Sequence, residues 1–500
     1  MNIAYLTTEA VPFAKTGGLA DVCGTLPREM AGLGHQSAVI LPAFREVYRA
    51  GIEVESTDIS FAIPMSQSKL VGGRLLRSTL PSSDVAVWMI DQPQYFDREG
   101  LYGDRSGDYA DNAERFAFFC RAALVALTRI GMEVDVIHCN DWQTGIVPGL
   151  LRATPAQFPA LANAATVMTI HNMAYQGSFP AEAFRWTGLD WQFFHHESFE
   201  FYGQLNYLKS AIATADEVTT VSPRYAAEIC TAEQGCGLDR VLSERRRGVI
   251  GIANGIDVDI WNPKTDVKLP GRFDVDSWQD GKALNKKSLQ EEFTLEVSDE
   301  LPLIGLVGRL ADQKGWDLIL PVIERHVIEK RPTQWIVLGS GDPRIESELR
   351  RLRDEAPHQV AIHLGFHDAL AHRIEAGADV FVMPSHYEPC GLNQLYSLRY
   401  GTLPIVTATG GLADTVVDST PETFADGTAN GFHLQRFSAD GLDEAIGRAL
   451  HLRYHEKNIW DQMVVAAMNA DWSWRKSACQ YAELYENALA LRSQLGADLV

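Results

Sequence analysis

Ala378-Asp-Val-Phe-Val-Met-Pro-Ser-His-Tyr-Glu-Pro-Cys-Gly-Leu392 is the stretch on which the reading of this chain turns. Its start, Ala378–Met383, is an apolar run of the kind that makes a buried parallel strand. Asn393–Tyr400 then reads as a helix. Pro384–Leu392 is therefore a strand-to-helix turn at the carboxyl end of a strand, where open α/β sheets bind ligands. The turn carries one carboxylate, Glu388. It also carries the backbone N–H groups of Cys390, Gly391 and Leu392, which on this reading open the helix and favour phosphate. A carboxylate beside a phosphate cradle suits chemistry on a sugar attached to a nucleotide diphosphate. For Glu388 alone, a solvated glutamate in a tight loop competes with that reading.

Working outward, two strand–helix series appear. The first holds Ile3–Thr7, Ser37–Leu41, Val85–Ile90, Val134–His138, Thr166–Ile170 and Val218–Val221; the second holds Leu303–Val307, Trp335–Leu338, Val360–Leu364, Val380–Met383 and Pro404–Thr407. Helical stretches such as Asp111–Ile130 and Trp316–Lys330 separate strands in both. This alternation predicts an α/β protein with parallel sheets covered on both faces. Five hundred residues suffice for at least two domains. The expected division is 1–245, 246–473, and a last helix over 474–500 that packs back on one of them. Gly251–Asp257 reads as a short strand and turn entering the second domain.

Composition excludes several classes. The chain is 46% hydrophobic and 22% charged, as in an ordinary globular protein. A net charge of −21 argues against a nucleic-acid binder, and obliges an anionic ligand to rely on locally placed Arg and Lys. No apolar run approaches transmembrane length, and Asn2–Thr8 reads as a core strand rather than a signal peptide. Seven scattered cysteines without metal-type spacing suggest reduced thiols and a cytoplasmic location. Cys139 and Cys390 read most simply as small buried hydrophobes. Oligomeric state is not legible.

Several turns carry chemistry. Lys15-Thr-Gly-Gly-Leu-Ala-Asp-Val22 follows the first strand: Gly17 and Gly18 let the backbone approach a ligand, and Lys15 supplies a cation. Its echo, Ala408-Thr-Gly-Gly-Leu-Ala-Asp-Thr415, follows a strand of the second series and contains Thr409 and Gly410. Leu306-Val-Gly-Arg-Leu-Ala-Asp-Gln-Lys-Gly315 places Arg309 and Lys314 on one loop, a planar fork and a mobile point charge suited to a diphosphate. In the first series, His138-Cys-Asn-Asp-Trp-Gln143 and Thr169-Ile-His-Asn-Met-Ala-Tyr-Gln-Gly177 put Asp141, His171 and Asn172 at strand ends, where polar groups reach sugar hydroxyls. Trp142 and Tyr175 offer rings for stacking on sugars. No Asp-x-Asp motif flanks a strand end, so no metal and no cofactor is expected.

Together these segments resemble the bacterial glycogen synthases and plant starch synthases. So do Phe96–Cys120, Asn206-Tyr-Leu-Lys209, Val221-Ser-Pro223, Asn254-Gly-Ile-Asp257 and Trp261-Asn-Pro263; the resemblance runs in order from about residue 1 to residue 480. It implies a GT-B fold, two Rossmann-like domains facing across a deep cleft. It also implies a retaining glucosyltransferase that adds glucose from ADP-glucose to the end of an α-1,4-glucan such as glycogen. By the matching motifs, Arg309 and Lys314 would bind the donor diphosphate and Glu388 would be the catalytic carboxylate. Lys15 and Gly18 would contact the donor, His171 would bond the glucose, and Asp141 would line the acceptor side. Gly391, Leu392, Thr409 and Gly410 would serve the phosphates and sugar, and Phe366 would lie against the adenine.

Two positions depart from the family pattern. Thr407 and His386 stand where the family often carries Arg, and each change removes a permanent cation. Three alternatives stay open at this level: UDP-glucose as donor, a nucleotide-sugar epimerase or hydrolase on the same fold, and an inactive sugar-binding regulator.

Overall fold

The computed structural model describes residues 1–104 and 106–497. The chain forms two compact units, one of residues 1–254 together with the segment from Trp474 on, the other of Gly255–Ser473.

The first unit is built on a nine-stranded sheet. Its strands are β1 (Asn2–Leu6), β2 (Gln36–Pro42), β3 (Glu55–Ser66), β4 (Lys69–Thr79), β5 (Ala86–Asp91), β6 (Val136–Asn140), β7 (Ala165–Ile170), β8 (Glu217–Thr220) and β9 (Ile250–Gly251), in the order β9-β8-β7-β6-β1-β2-β5-β4-β3. Seven are parallel, and their near-continuous apolar sequences follow from cover on both faces. In β1, Ala4 and Leu6 enter one core while Ile3 and Tyr5 enter the other.

β3 and β4 correct the expectation of a wholly parallel sheet: they form an antiparallel hairpin, and β4 pairs antiparallel with β5. Their alternation of apolar and polar residues suits a sheet edge with one wet face. That alternation was the signal for them.

The second unit holds β10 (Leu303–Val307), β11 (Gln334–Gly339), β12 (Val360–Leu364), β13 (Val380–Met383), β14 (Leu403–Val406) and β15 (Phe432–His433), all parallel, in the order β12-β11-β10-β13-β14-β15. Both orders contain a reversal. From β1 the chain moves to β2 on one side and later to β6 on the other; from β10 it moves to β11 and later to β13. Such switch points leave a crevice at the carboxyl ends of the strands.

Among the helices, those that bear on the sites are α1 (Gly18–Gly32), α2 (Asn112–Leu127), α3 (Trp316–Ile328), α4 (Asn393–Arg399) and α5 (Trp474–Ala497). Apolar residues recur on α5 at helical spacing, namely Trp474, Ala478, Tyr481, Leu484, Tyr485 and Ala488. All join the core that includes Leu19, Val22 and Leu26 of α1. Burial of a side chain the size of Leu484 contributes roughly 1.5–3 kcal/mol. Polar groups specify the docking further. Fully buried His138 of β6 is 2.8 Å from the Tyr485 hydroxyl through Nδ1 and 2.6 Å from the Thr169 hydroxyl through Nε2. The C-terminal helix therefore belongs to the first unit. Among the described residues, no helix is long and apolar enough to cross a membrane, and all seven cysteines are free thiols.

Candidate active site

In the second unit the chemistry gathers at the β10/β13 switch point. The ladder between these strands pairs only Ile304 with Val380 and Gly305 with Phe381. Beyond that the strand ends part, and the Asn393 amide donates to the Val307 carbonyl at 2.5 Å. A cavity opens there, lined among others by Arg309, Lys314, Ser385 and Asn393.

Lys314 Nζ donates to Glu388 Oε2 at 2.6 Å, and the Ser385 hydroxyl donates to the same oxygen at 3.1 Å. The Glu388 side chain is 9% exposed and that of Lys314 is 24% exposed. Arg309 is held less tightly: its guanidinium donates to Gln313 Oε1 at 3.2 Å. Gln313 in turn donates to the Tyr387 carbonyl at 3.0 Å and accepts the His386 N–H on its own backbone carbonyl at 2.9 Å. The β10 and β13 loops are thus laced together. An ammonium has three protons to donate; one serves Glu388 here, leaving others for the oxygens of a ligand.

The two Gly-Gly turns differ physically. Gly410 has φ +44°, and a Cβ there would lie 2.0 Å from the Glu388 carbonyl oxygen. Its neighbour Gly411 donates its N–H to that carbonyl at 3.2 Å. Glycine is thus required by packing against the Glu388 loop. Gly17 has an extended backbone, φ −153°, and an added Cβ would meet nothing within 4 Å. Neither strain nor packing requires glycine there; Gly17 is the N-cap residue of α1, a position glycine commonly takes.

One detail of the turn after β13 differs from the sequence reading. Helix α4 starts at Asn393 with Leu392 as its N-cap, so Cys390 and Gly391 precede the helix instead of opening it. Gly391 takes φ +73°, and the bend it makes delays helix entry. The Gln394 side chain folds back and donates to the Cys390 and Gly391 carbonyls at 3.0 and 3.1 Å. Cys390 is buried, as is Thr409. Phe366 lies beyond the end of β12 and is 88% exposed, so packing does not account for an aromatic residue there.

The departures have distinct surroundings. His386 Nε2 lies 2.9 Å from Asp317, and its ring meets Phe437 at 4.6 Å. The Thr407 hydroxyl is buried without a hydrogen-bond partner. Nothing in the structure explains either replacement.

In the first unit, β7, β6 and β1 lie side by side, which brings His171, Asn172, Asp141 and the Lys15–Gly18 loop to one sheet edge. Asp141 has φ +55°, a costly conformation for a non-glycine residue and a frequent mark of functional positions. It is held there by its N–H to the Thr169 carbonyl at 3.0 Å and by the His171 N–H to its carboxylate at 2.7 Å. Burial pushes the Asp141 carboxyl up to about 7, against the lowering effect of the His171 N–H.

His171 Nε2 lies 3.0 Å from Asn140 Oδ1. The Asn140 amide nitrogen is turned to the Leu6 carbonyl at 3.2 Å, so Oδ1 faces the ring and the histidine is the donor. Burial lowers the His171 pKa to about 3. The ring is therefore neutral, with Nδ1 able to accept from a hydroxyl. Lys15 engages Asp21 of α1 at 2.7 Å.

Trp142 does not offer a stacking face. It is buried against Phe116, Phe179 and Tyr207 at 5.0, 5.8 and 6.1 Å. Tyr175 is 55% exposed. Sequence reasoning missed Glu9, Tyr102, Ser385 and Gln394. Glu9 was findable, because a carboxylate just after an apolar strand is the same signal that drew attention to Glu388.

Comparison with known proteins agrees with this architecture. A family model described as the starch synthase catalytic domain matches residues 2–244, and one for glycosyl transferases group 1 matches residues 289–462. A glycogen synthase of Rhodopirellula baltica is 59% identical, covering 98% of each chain. Another, from Syntrophotalea carbinolica, is 45% identical over 98% of this chain and 99% of its own. Among solved structures, the catalytic domain of starch synthase IV from Arabidopsis thaliana, bound to ADP and acarbose, superposes with a TM-score of 0.88. It is 34% identical and covers 98% of this chain and 99% of that one. The chain belongs to the family of bacterial glycogen synthases and plant starch synthases, glycosyltransferases of the GT-B fold.

Proposed function

We propose that the chain transfers glucose from ADP-glucose to the non-reducing end of an α-1,4-glucan, with retention of configuration and release of ADP. The observation that carries this is the Lys314–Glu388 pair at 2.6 Å, beside Arg309 at the β10/β13 switch point. Cleavage of the glucose–phosphate bond leaves negative charge on the diphosphate and positive character on the sugar. Fixed cations at the leaving oxygens lower that barrier because they need not reorganise as charge develops. Arg309 and Lys314 fill this role. Glu388, held rigid by Lys314 and Ser385, faces the positively charged sugar. The diphosphate is a good leaving group and takes the acceptor's proton as the new bond forms on the same face. No carboxylate is assigned as a nucleophile on the other face, where a retaining glycosidase would need one about 5 Å from its partner.

Of the first unit's residues, Lys15 and Gly17–Gly18 are assigned to the donor, neutral His171 to a glucose hydroxyl, and Asp141 to the acceptor. Phe366 stacks on the base, and Thr409 with the Cys390–Leu392 backbone serves the phosphates and sugar. The ADP held by the Arabidopsis neighbour supports an adenine donor. The test is kcat/KM for ADP-glucose against UDP-glucose with glycogen as acceptor. A preference for ADP-glucose of at least about tenfold, near 1.4 kcal/mol, is expected. Equal use of both donors, or preference for UDP-glucose, would overturn the assignment of the donor.

A further inference from the structure

Glu9 follows β1 and is 3% exposed. Its carboxylate accepts four hydrogen bonds, all from neutral donors. Oε2 takes the backbone N–H groups of Thr16 at 2.6 Å and Gly17 at 3.0 Å. Oε1 takes the Thr16 hydroxyl at 2.6 Å and the Tyr102 hydroxyl at 2.7 Å. Tyr102 in turn lies 2.8 Å from the Thr8 hydroxyl. Glu9 itself is pinned, since its N–H donates to the Thr7 hydroxyl at 3.2 Å and its carbonyl accepts from that hydroxyl at 2.9 Å. The Thr16–Gly17 backbone enters α1 without a side-chain cap of its own. Glu9, seven residues before Thr16, ties down the two residues that lead into the helix.

We infer that Glu9 is a positioning residue for donor binding: it fixes the backbone from which Lys15 projects, while Asp21 fixes the Lys15 ammonium. The physical case is that a buried carboxylate is costly unless its lone pairs are satisfied, and here every strong acceptor site is committed to one short loop and its neighbour Tyr102. That loop is the one whose glycine leaves room beside Gly17. Fixing it before the donor arrives removes the ordering cost that a mobile loop would impose on affinity. The inference rests on the proposal that the Lys15–Gly18 loop contacts the donor.

The experiment is a double-mutant cycle on the full chain, reading kcat and donor KM separately. Lys15→Ala tests the underlying proposal: a loss of at least about tenfold in kcat/KM is expected, and no loss would mean that the loop does not serve the donor. Given that loss, Glu9→Ala should raise donor KM about tenfold with the glycogen KM little changed, while the unpaired Thr16, Gly17 and Tyr102 donors lower the denaturation midpoint of the first unit. The Glu9→Ala/Lys15→Ala double variant should be within about twofold of the worse single variant, because both act through one element.

Glu9→Gln should recover most of the affinity. Its amide oxygen can keep the two N–H bonds, and its nitrogen can donate to the Thr16 and Tyr102 hydroxyls, which also accept. Multiplying losses in the double variant, or an unchanged donor KM in Glu9→Ala, would overturn the inference. Should Glu9→Ala not fold, Thr16→Val removes one of the four donors, and donor KM should rise several-fold; an unchanged KM there would count equally against it.

Discussion

Replacing Lys314 with Met keeps the length of the side chain and removes its charge. Glu388 is then left 9% exposed with Ser385 Oγ at 3.1 Å as its remaining side-chain donor. At the observed 2.6 Å, two unit charges attract by roughly 6 kcal/mol at an effective dielectric of about 20. Desolvation cancels much of this in the intact pair. Removing one partner still costs about 3–5 kcal/mol, because an uncompensated buried carboxylate remains. Water reaches the Lys314 end of the pair, which places the expected loss near the low end, about 3 kcal/mol.

The reverse change is milder. In Glu388→Gln the ammonium, 24% exposed, turns toward solvent, and the amide oxygen still accepts from Ser385; a loss of about 1 kcal/mol is expected. The double variant should be more stable than Lys314→Met alone by about 2 kcal/mol. Urea denaturation measures the losses. The two units can unfold separately, so hydrogen exchange at Leu303–Val307 and Val380–Met383 assigns the change to the second unit. Equal losses in the two single variants, or simple additivity in the double, would refute the claim that the Lys314 ammonium compensates the buried Glu388 carboxylate.

Further outcomes follow from the site. Phe366→Ala should raise donor KM about tenfold, as expected for one lost base–aromatic stack, while the denaturation midpoint stays put because the ring is almost wholly exposed. Transfer should persist in excess chelator, since Arg309 and Lys314 supply the positive charge; loss of activity restored by magnesium or manganese would contradict that. The pH dependence of stability gives another check. Burial lowers His138 to about 3, below its unfolded value near 6.5. The unfolded state therefore binds the extra proton, and this residue's contribution is complete above about pH 6.5 and lost as pH falls toward 3. The slope is about 1.4 kcal/mol per pH unit. Urea titrations at pH 5 and 6 should show a shallower acid loss in His138→Gln than in the unmodified protein, although His171, lowered to about 3, and Asp141, raised to about 7, titrate in both.

The parallel core was legible because buried strands are short apolar runs separated by helical periods; Leu303–Val307, Val360–Leu364 and Val380–Met383 fall where the runs place them. The β3–β4 hairpin was not read, since its alternating residues look polar on average. The residues proposed for the site could be found wherever chemistry sits in the loop just after a strand, as with Glu388, Arg309 and His171. What stayed hidden was support from a distance in sequence. Glu9 reaches Thr16 and Gly17, Tyr102 reaches Glu9 across more than ninety residues, and Gln394 turns back on its own loop. Trp142 shows the converse: beside a polar cluster in sequence, it is claimed by the aromatic core. The two Gly-Gly turns look alike in sequence, yet one glycine answers to Glu388's backbone and the other to open space.

The most direct test of the account is turnover by Glu388→Gln. Purified protein and the variant are given labelled ADP-glucose and glycogen, and incorporation, ADP release and the anomeric configuration of the new linkage are followed together. The account predicts new α-1,4 linkages and equimolar ADP from the unmodified protein. It also predicts a kcat at least tenfold lower in the variant, a loss above about 1.4 kcal/mol in transition-state stabilisation, with donor binding retained. A variant keeping more than about a tenth of the kcat, or free glucose as the main product of the unmodified protein, would contradict it.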